Sequence, residues 1–261
     1  MYLNLSAAFL AGLGFWAGLP WVLKMPLGHI VDLIWKFKSI LVFFGALIMA
    51  ISSLIMYFLI AHKEEMISVL NAETWFIIST LLAPIGFVLQ DVVADALTVE
   101  AIPKTDEKGN EIDFKTLKSL NVVMQLLGRV SIISGTLIVS FINLIMFSDS
   151  SEMSDNEKIV TYGKIYLYSL IVPIISIMGV VFSYISSKSR LNKLIKNGLA
   201  FDKAFNLIYP VLKATKPNKS IITGSIIFVI FTLSIGISKI PFSQEIVFMG
   251  SFLIIVYLLI T

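Results

Sequence analysis

Apolar residues arrive in runs of about 20, the length at which a helix crosses a hydrocarbon core of roughly 30 Å. That pattern limits what this chain can fold into more than any other feature. The runs fall at about 3–24, 39–61, 75–98, 119–147, 162–186, 220–238 and 245–261. Backbone polar groups have no water to bond inside a bilayer, so segments of this kind are expected as helices. The expected fold class is all-α: a polytopic membrane protein with about seven transmembrane helices. Composition agrees, with 57% hydrophobic and 14% charged residues, where a soluble domain carries about 25% charge. The chain has no cysteine, which excludes disulfides, thiolate metal sites and cysteine nucleophiles.

The connectors alternate in charge. One set holds Lys24, Lys36 and Lys38, then Lys104, Lys108, Lys115 and Lys118, then a dense group from Lys188 to Lys219. The other holds only Lys63, Lys158, Lys164 and Lys239 among several acids, Glu64, Glu65, Glu73, Glu152 and Glu157 included. Lysine and arginine collect in cytoplasmic loops, so the first set is expected in the cytoplasm and Met1 outside. The expected location is the cell membrane, or the inner membrane in a Gram-negative cell. A first span that runs inward, and a last one reaching Thr261 without a polar tail, suggest a piece of a longer protein. The expected organisation is an N-terminal bundle at 1–187, a linker at 188–219 and the start of a second bundle at 220–261. In the linker Leu191, Leu194, Ile195, Leu199, Phe205 and Leu212 recur loosely at helical spacing among lysines. It reads either as basic amphipathic helix on the cytoplasmic membrane surface or as a solvated linker.

Between the first two runs lies Leu19-Pro20-Trp21-Val22-Leu23-Lys24-Met25-Pro26-Leu27-Gly28-His29-Ile30-Val31-Asp32, closed by Lys36 and Lys38. A glycine, an aspartate four residues on and then basic residues between two spans form the short cytoplasmic connector of many secondary transporters. Together with the long basic loop after four more spans, this resembles the major facilitator superfamily, in which two six-helix bundles are joined by such a loop. Gly28 and Asp32 match the signature connector, and Lys36 and Lys38 stand in for its basic end. Leu33 replaces the arginine that usually follows the aspartate, and the second glycine is missing. Aligned this way, the chain is similar to helices two to eight of twelve. The Leu-Pro-Trp-x-x-Lys segment, with Gln90-Asp91-Val92-Val93-Ala94-Asp95-Ala96-Leu97, resembles the folate–biopterin transporter branch and the related muropeptide permeases. The resemblance implies secondary active transport of a small polar organic solute by alternating access, with folate-, pterin- or muropeptide-like cargo. It also implies that the missing helices or a second bundle are needed for activity.

Asp91 and Asp95 are one turn apart and share a helix face. An ionised group inside a span normally pairs, and the expected partner is Arg129 in the next span. Such a trio is a gate, a proton-coupling site, a fixed stitch between helices, or a site where Arg129 meets an anionic substrate. Coupling to H⁺ is preferred, because the carboxylates are protonatable and no ATP-binding motif is present. Asp32 in a tight turn is expected to cap either a facing helix or its own. Lys24 is expected to snorkel to the interface, with contact to substrate or Asp32 as the alternative, and His29 is expected in the turn. Gln90, Asn121 and Gln125 are the candidate cavity residues, with Thr80 and Asn143 as further polar positions. Gly12, Gly14, Gly18, Gly128, Gly135, Gly224 and Gly236 mark expected close helix approaches. Pro84 with Gly86 marks an expected kink near mid-membrane.

Two other classes compete. Asp91-x-x-x-Asp95 also satisfies the short acidic motif by which membrane prenyltransferases hold Mg²⁺, but a second such motif and the Asn-Asp lead-in are lacking. A membrane-embedded accessory subunit is the third reading. No glycine-rich phosphate loop, zinc spacing or nucleophile elbow occurs. The expectation is therefore a transporter rather than an enzyme, with a lipid bilayer around it. No cofactor, resident metal or nucleic acid is called for.

Overall fold

The computed structural model describes residues 3, 5–34, 37–100, 102, 112–148, 151–208, 218–237 and 242–260. Every regular element among them is helical. α1 (Ala7–Gly18) passes through a 3-10 turn (Leu19–Leu23) into α2 (Lys24–Leu33). Then come α3 (Lys38–Ala61), the short α4 (Lys63–Val69), α5 (Ala72–Glu100) and α6 (Phe114–Met146). The remainder is α7 (Asp155–Tyr168), α8 (Ile171–Lys196), α9 (Phe201–Ile208), α10 (Lys219–Ile237) and α11 (Ser243–Ile260). Five stretches are long and apolar enough to cross a membrane: Ala7–Val31, Lys38–Ala61, Ala72–Thr98, Phe114–Met146 and Asp155–Lys196. The apolar helices at Lys219–Ile235 and Glu245–Ile254 are shorter. The chain is an all-helical membrane protein, with five such stretches where the hydropathy pattern predicts seven spans.

The centre is an antiparallel pair, α3 against α5. The buried residues of α3 follow a repeat of three and four, Gly45, Met49, Ser52, Met56 and Leu59, with Ala46 and Ile60 beside its ends, and so form one stripe. Glycine sets the crossing. A Cβ added at Gly45 would lie 2.6 Å from the Gly86 carbonyl oxygen, and one at Gly86 would lie 2.5 Å from that of Gly45. Seven residues along each helix, buried Ser52 and Ser79 clasp each other. Their hydroxyls lie 2.8 Å apart, the Ser52 hydroxyl 2.9 Å from the Ser79 carbonyl and the Ser79 hydroxyl 3.1 Å from that of Ser52. In lipid such polar contacts help hold helices together where no hydrophobic force can. A double-mutant cycle with Ser52→Ala and Ser79→Ala, read by unfolding in detergent, should return a coupling of about 0.6 kcal/mol. Strict additivity would remove the clasp from the account of α3–α5 stability.

Around this pair, α7 and α8 pack on α3, while α1, the 3-10 turn and α2 pack on α5. α10 lies against α2 and the 3-10 turn, and α11 against α10. Val31 of α2 meets Val88, Val92 and Val93 of α5 in one apolar cluster. Met56, Leu59 and Ala72 form another near the α3–α5 connection.

Several expectations are corrected. The stretch Gly28–Asp32 is helix, not a turn, because Pro20 and Pro26 both fall in first helical turns. An N–H is without an intrahelical partner there, so proline does not stop the chain. The run at 162–186 breaks at 169–170. Pro173 has no N–H to offer the Ser169 carbonyl, which accepts from Val172 N at 3.0 Å instead. α8 then continues past residue 188 to Lys196. Finally, a Cβ at Gly12, Gly14, Gly18, Gly128 or Gly135 would meet nothing within 4 Å. Between α3 and α5 the close backbone approach belongs to Gly45 and Gly86, with Pro84 inside α5 two residues before Gly86.

Candidate functional site

Lys24 opens α2, and Asp91 and Asp95 stand on successive turns near the end of α5. The Lys24 ammonium lies 2.7 Å from Asp91 Oδ2 and 2.8 Å from Asp95 Oδ2. The valine cluster between α2 and α5 brings the opposite charges together. Asp91 is the more enclosed carboxylate, its side chain 24% exposed against 63% for Asp95. Fully in water such a pair would contribute at most about 1 kcal/mol. An ionised aspartate or lysine left alone at membrane depth costs about 2.5–3.5 kcal/mol on insertion scales. The arrangement therefore matters more for what it neutralises than for what it attracts.

The surroundings hold the two helices in register. Trp21 lies against Phe87, with ring centroids 5.5 Å apart. Gln90 faces away from the ion pair, its Nε2 donating to the Val42 carbonyl at 3.0 Å and its Oε1 accepting from the Ser176 hydroxyl at 3.0 Å. Both ends of its amide thus tie α5 to α3 and α8 rather than lining an open cavity. His29 is buried within α2, where its Nε2 accepts from the Asn218 backbone N–H at 3.3 Å, joining α2 to the start of α10.

Arg129 is not the partner of the two aspartates. It stands exposed on α6, which has no buried residue and meets the bundle chiefly at α5. Among the described residues no ion pair reaches it. Lys24 takes its place because the first membrane-length stretch extends to Val31. That puts the lysine inside the stretch, where it must be neutralised, rather than at an interface to which it could snorkel. The signal was present in the chain: Lys24 is the one lysine or arginine between residues 7 and 31, and no basic residue lies between 72 and 98 to serve the aspartates.

Gly28, half-buried on α2, faces α5, where a Cβ would sit 4.0 Å from Val92 Cγ1. Asp32 belongs to the last turn of α2, and Lys38 opens α3. Lys36 lies outside the described residues. Asn121 and Gln125 are exposed on α6 with Arg129. At intervals of three, four and seven, Asn121, Gln125, Arg129, Thr136, Ser140 and Asn143 fall on one stripe of that helix. Among the described residues no group of three or more His, Asp or Glu side chains converges as a metal site would require. No protein-family model, no curated protein and no solved structure matches the chain.

Proposed function

We propose that this chain is the transmembrane body of a facilitator-type secondary transporter, with Lys24, Asp91 and Asp95 as its proton-coupled latch. The observation that carries the reading is one ammonium shared by two carboxylates at the α2–α5 seam. With both carboxylates ionised the trio has one negative charge in excess, so one proton makes it neutral. Taking up that proton leaves Lys24 with a single charged partner and weakens the seam; releasing it restores the shared contact. A site that exchanges one proton for one seam contact is what alternating access requires of a coupling group.

The polar stripe of α6 supports the same reading. A helix wholly bathed in lipid gains nothing from Asn121, Gln125, Arg129 and Asn143 on one side, whereas a helix beside an aqueous path needs such groups. By the charge rule the latch end of α5 faces the cytoplasm. Resemblance of the Leu-Pro-Trp-x-x-Lys and Gln-Asp segments points to a folate-, pterin- or muropeptide-like solute.

The test is uptake into proteoliposomes under an imposed pH gradient. They would hold the chain together with any polypeptide encoded in frame beside it at its source, and be offered labelled folate, pterin and muropeptide in turn. Uptake should follow the gradient, stop when a protonophore collapses it, and fall about a hundredfold in Asp91→Asn, the loss of roughly 3 kcal/mol. Uptake indifferent to both protonophore and Asp91→Asn would sink the coupling role.

A further inference from the structure

α8 is 26 residues long, about 39 Å at 1.5 Å per residue, and so longer than a hydrocarbon core of roughly 30 Å. Its last turns carry Lys188, Arg190, Lys193 and Lys196, all exposed. At 3.6 residues per turn these four spread over one broad face, and Leu191, Leu194 and Ile195 gather on the other. The helix then ends in a tight reversal. Gly198 adopts φ +90°, the Leu199 N–H bonds the Leu194 carbonyl at 3.1 Å, and the Gly198 N–H bonds the Ile195 carbonyl at 3.0 Å. This is the Schellman arrangement, in which the left-handed residue is ordinarily glycine. It turns the chain so that α9 packs against α8.

α9 is strongly two-faced. Ala204 is fully buried, and beside it Phe201 and Phe205 stack with ring centroids 5.7 Å apart. Those two rings remain 58% and 39% exposed, an aromatic pair on the surface of a helix too short to span anything. Lys203 stands on the opposite face. From 188 to 208 the segment holds five basic residues and one acid, Asp202.

We infer that the basic end of α8 and the α9 hook form a binding element for the anionic headgroups of the leaflet they meet. Lys188, Arg190, Lys193 and Lys196 emerge from the apolar part of a membrane-length helix, so they stand at headgroup depth. Phe201 and Phe205 give α9 an apolar edge for the acyl boundary, with Lys203 directed to water, as in helices that lie in the interface plane. Clustered cations beside a span favour anionic lipid through charge complementarity. The inference rests on the chain crossing a bilayer, not on what it transports.

The experiment compares thermal unfolding of the full chain in nanodiscs of phosphatidylcholine alone with nanodiscs one-third phosphatidylglycerol. Phosphatidylglycerol should stabilise the chain, with its apparent affinity falling about tenfold or more in the variant Lys188→Gln/Arg190→Gln/Lys193→Gln/Lys196→Gln. Lys158→Gln/Lys164→Gln should leave the affinity within about twofold, since those lysines stand near Glu152, Asp155 and Glu157 rather than in a basic cluster. In the unsubstituted chain the preference should fade as salt is raised, because screening acts on charges, not on rings; this arm stands even if the quadruple variant fails to insert. Phe201→Ser/Phe205→Ser should lower the melting temperature in both lipid mixtures, since the apolar edge meets acyl chains whatever the headgroup charge. Equal stabilisation by both lipids, a salt-independent preference, or an unchanged affinity in the quadruple variant would overturn the assignment. Failure of the unsubstituted chain to enter nanodiscs would instead strike at the membrane reading beneath it.

Discussion

Replacing Lys24 by glutamine is expected to open the α2–α5 seam and to end proton-driven uptake. Removing the ammonium leaves Asp91 and Asp95 without a cation in a span that contains no other. At about 2.5–3.5 kcal/mol for an uncompensated charge at membrane depth, the helices part to let water reach the carboxylates, and the exchange is lost. Because the chain has no cysteine, a single Val92→Cys substitution reports on the seam. Val92 is buried there, 5% exposed, and cysteine fills nearly the same space. A water-soluble maleimide should label it about tenfold faster or more when Lys24→Gln is added, since 1.4 kcal/mol of opening corresponds to a factor of ten. Arg129→Gln should leave that rate unchanged, because Arg129 makes no ion pair among the described residues. Equal labelling with and without Lys24 would show that the pair does not hold the seam, and the latch would lose its basis.

The second large effect is expected at Gly86. A methyl group there meets the Gly45 carbonyl at 2.5 Å, Met49 Cγ at 2.7 Å and the Met49 backbone nitrogen at 3.0 Å. Met49 can swing aside, but two backbone atoms cannot. Gly86→Ala should therefore force α3 and α5 apart and cost about 1–3 kcal/mol, the usual range for overpacking. For a chain of this size that lowers the melting temperature by roughly 2–12 °C. Gly86→Val should cost more. Gly12→Ala and Gly128→Ala are the controls: with open space around them, alanine should be neutral or slightly stabilising in a helix. If Gly86→Ala melts no lower than the controls, the crossing point has been misplaced.

These contrasts show what could be read in advance. Span-length apolar runs dictated helices, because a bilayer permits little else. The intramembrane aspartates were legible for a similar reason: charge at that depth demands a partner. Which partner was not legible, since sequence order places Arg129 one membrane-length stretch away from the aspartates and Lys24 two. Packing follows side-chain shape instead, and the valines of α2 and α5 interlock. The connector was misjudged because Gly28 and two prolines look like turn residues in isolation. Their positions in first helical turns, and the apolar Ile30-Val31 that follows, favour continued helix. Gly45 was overlooked among seven other glycines. Its signal was periodic: with Met49, Ser52 and Met56 it completes a stripe at intervals of three and four.

The two clasps between α3 and α5 carry a mechanical consequence. Gly45 faces Gly86 and Ser52 faces Ser79, seven residues apart on both helices, while Gln90 reaches the Val42 carbonyl one turn beyond. Fixed at three levels, the pair resists both sliding and twisting and behaves as a stiff plank. α2 meets α5 through the valine cluster and the shared lysine, and α1 meets it through the Phe9–Phe76 ring contact, so displacement within this part of the chain is expected of α1 and α2, with the plank as the frame they move against.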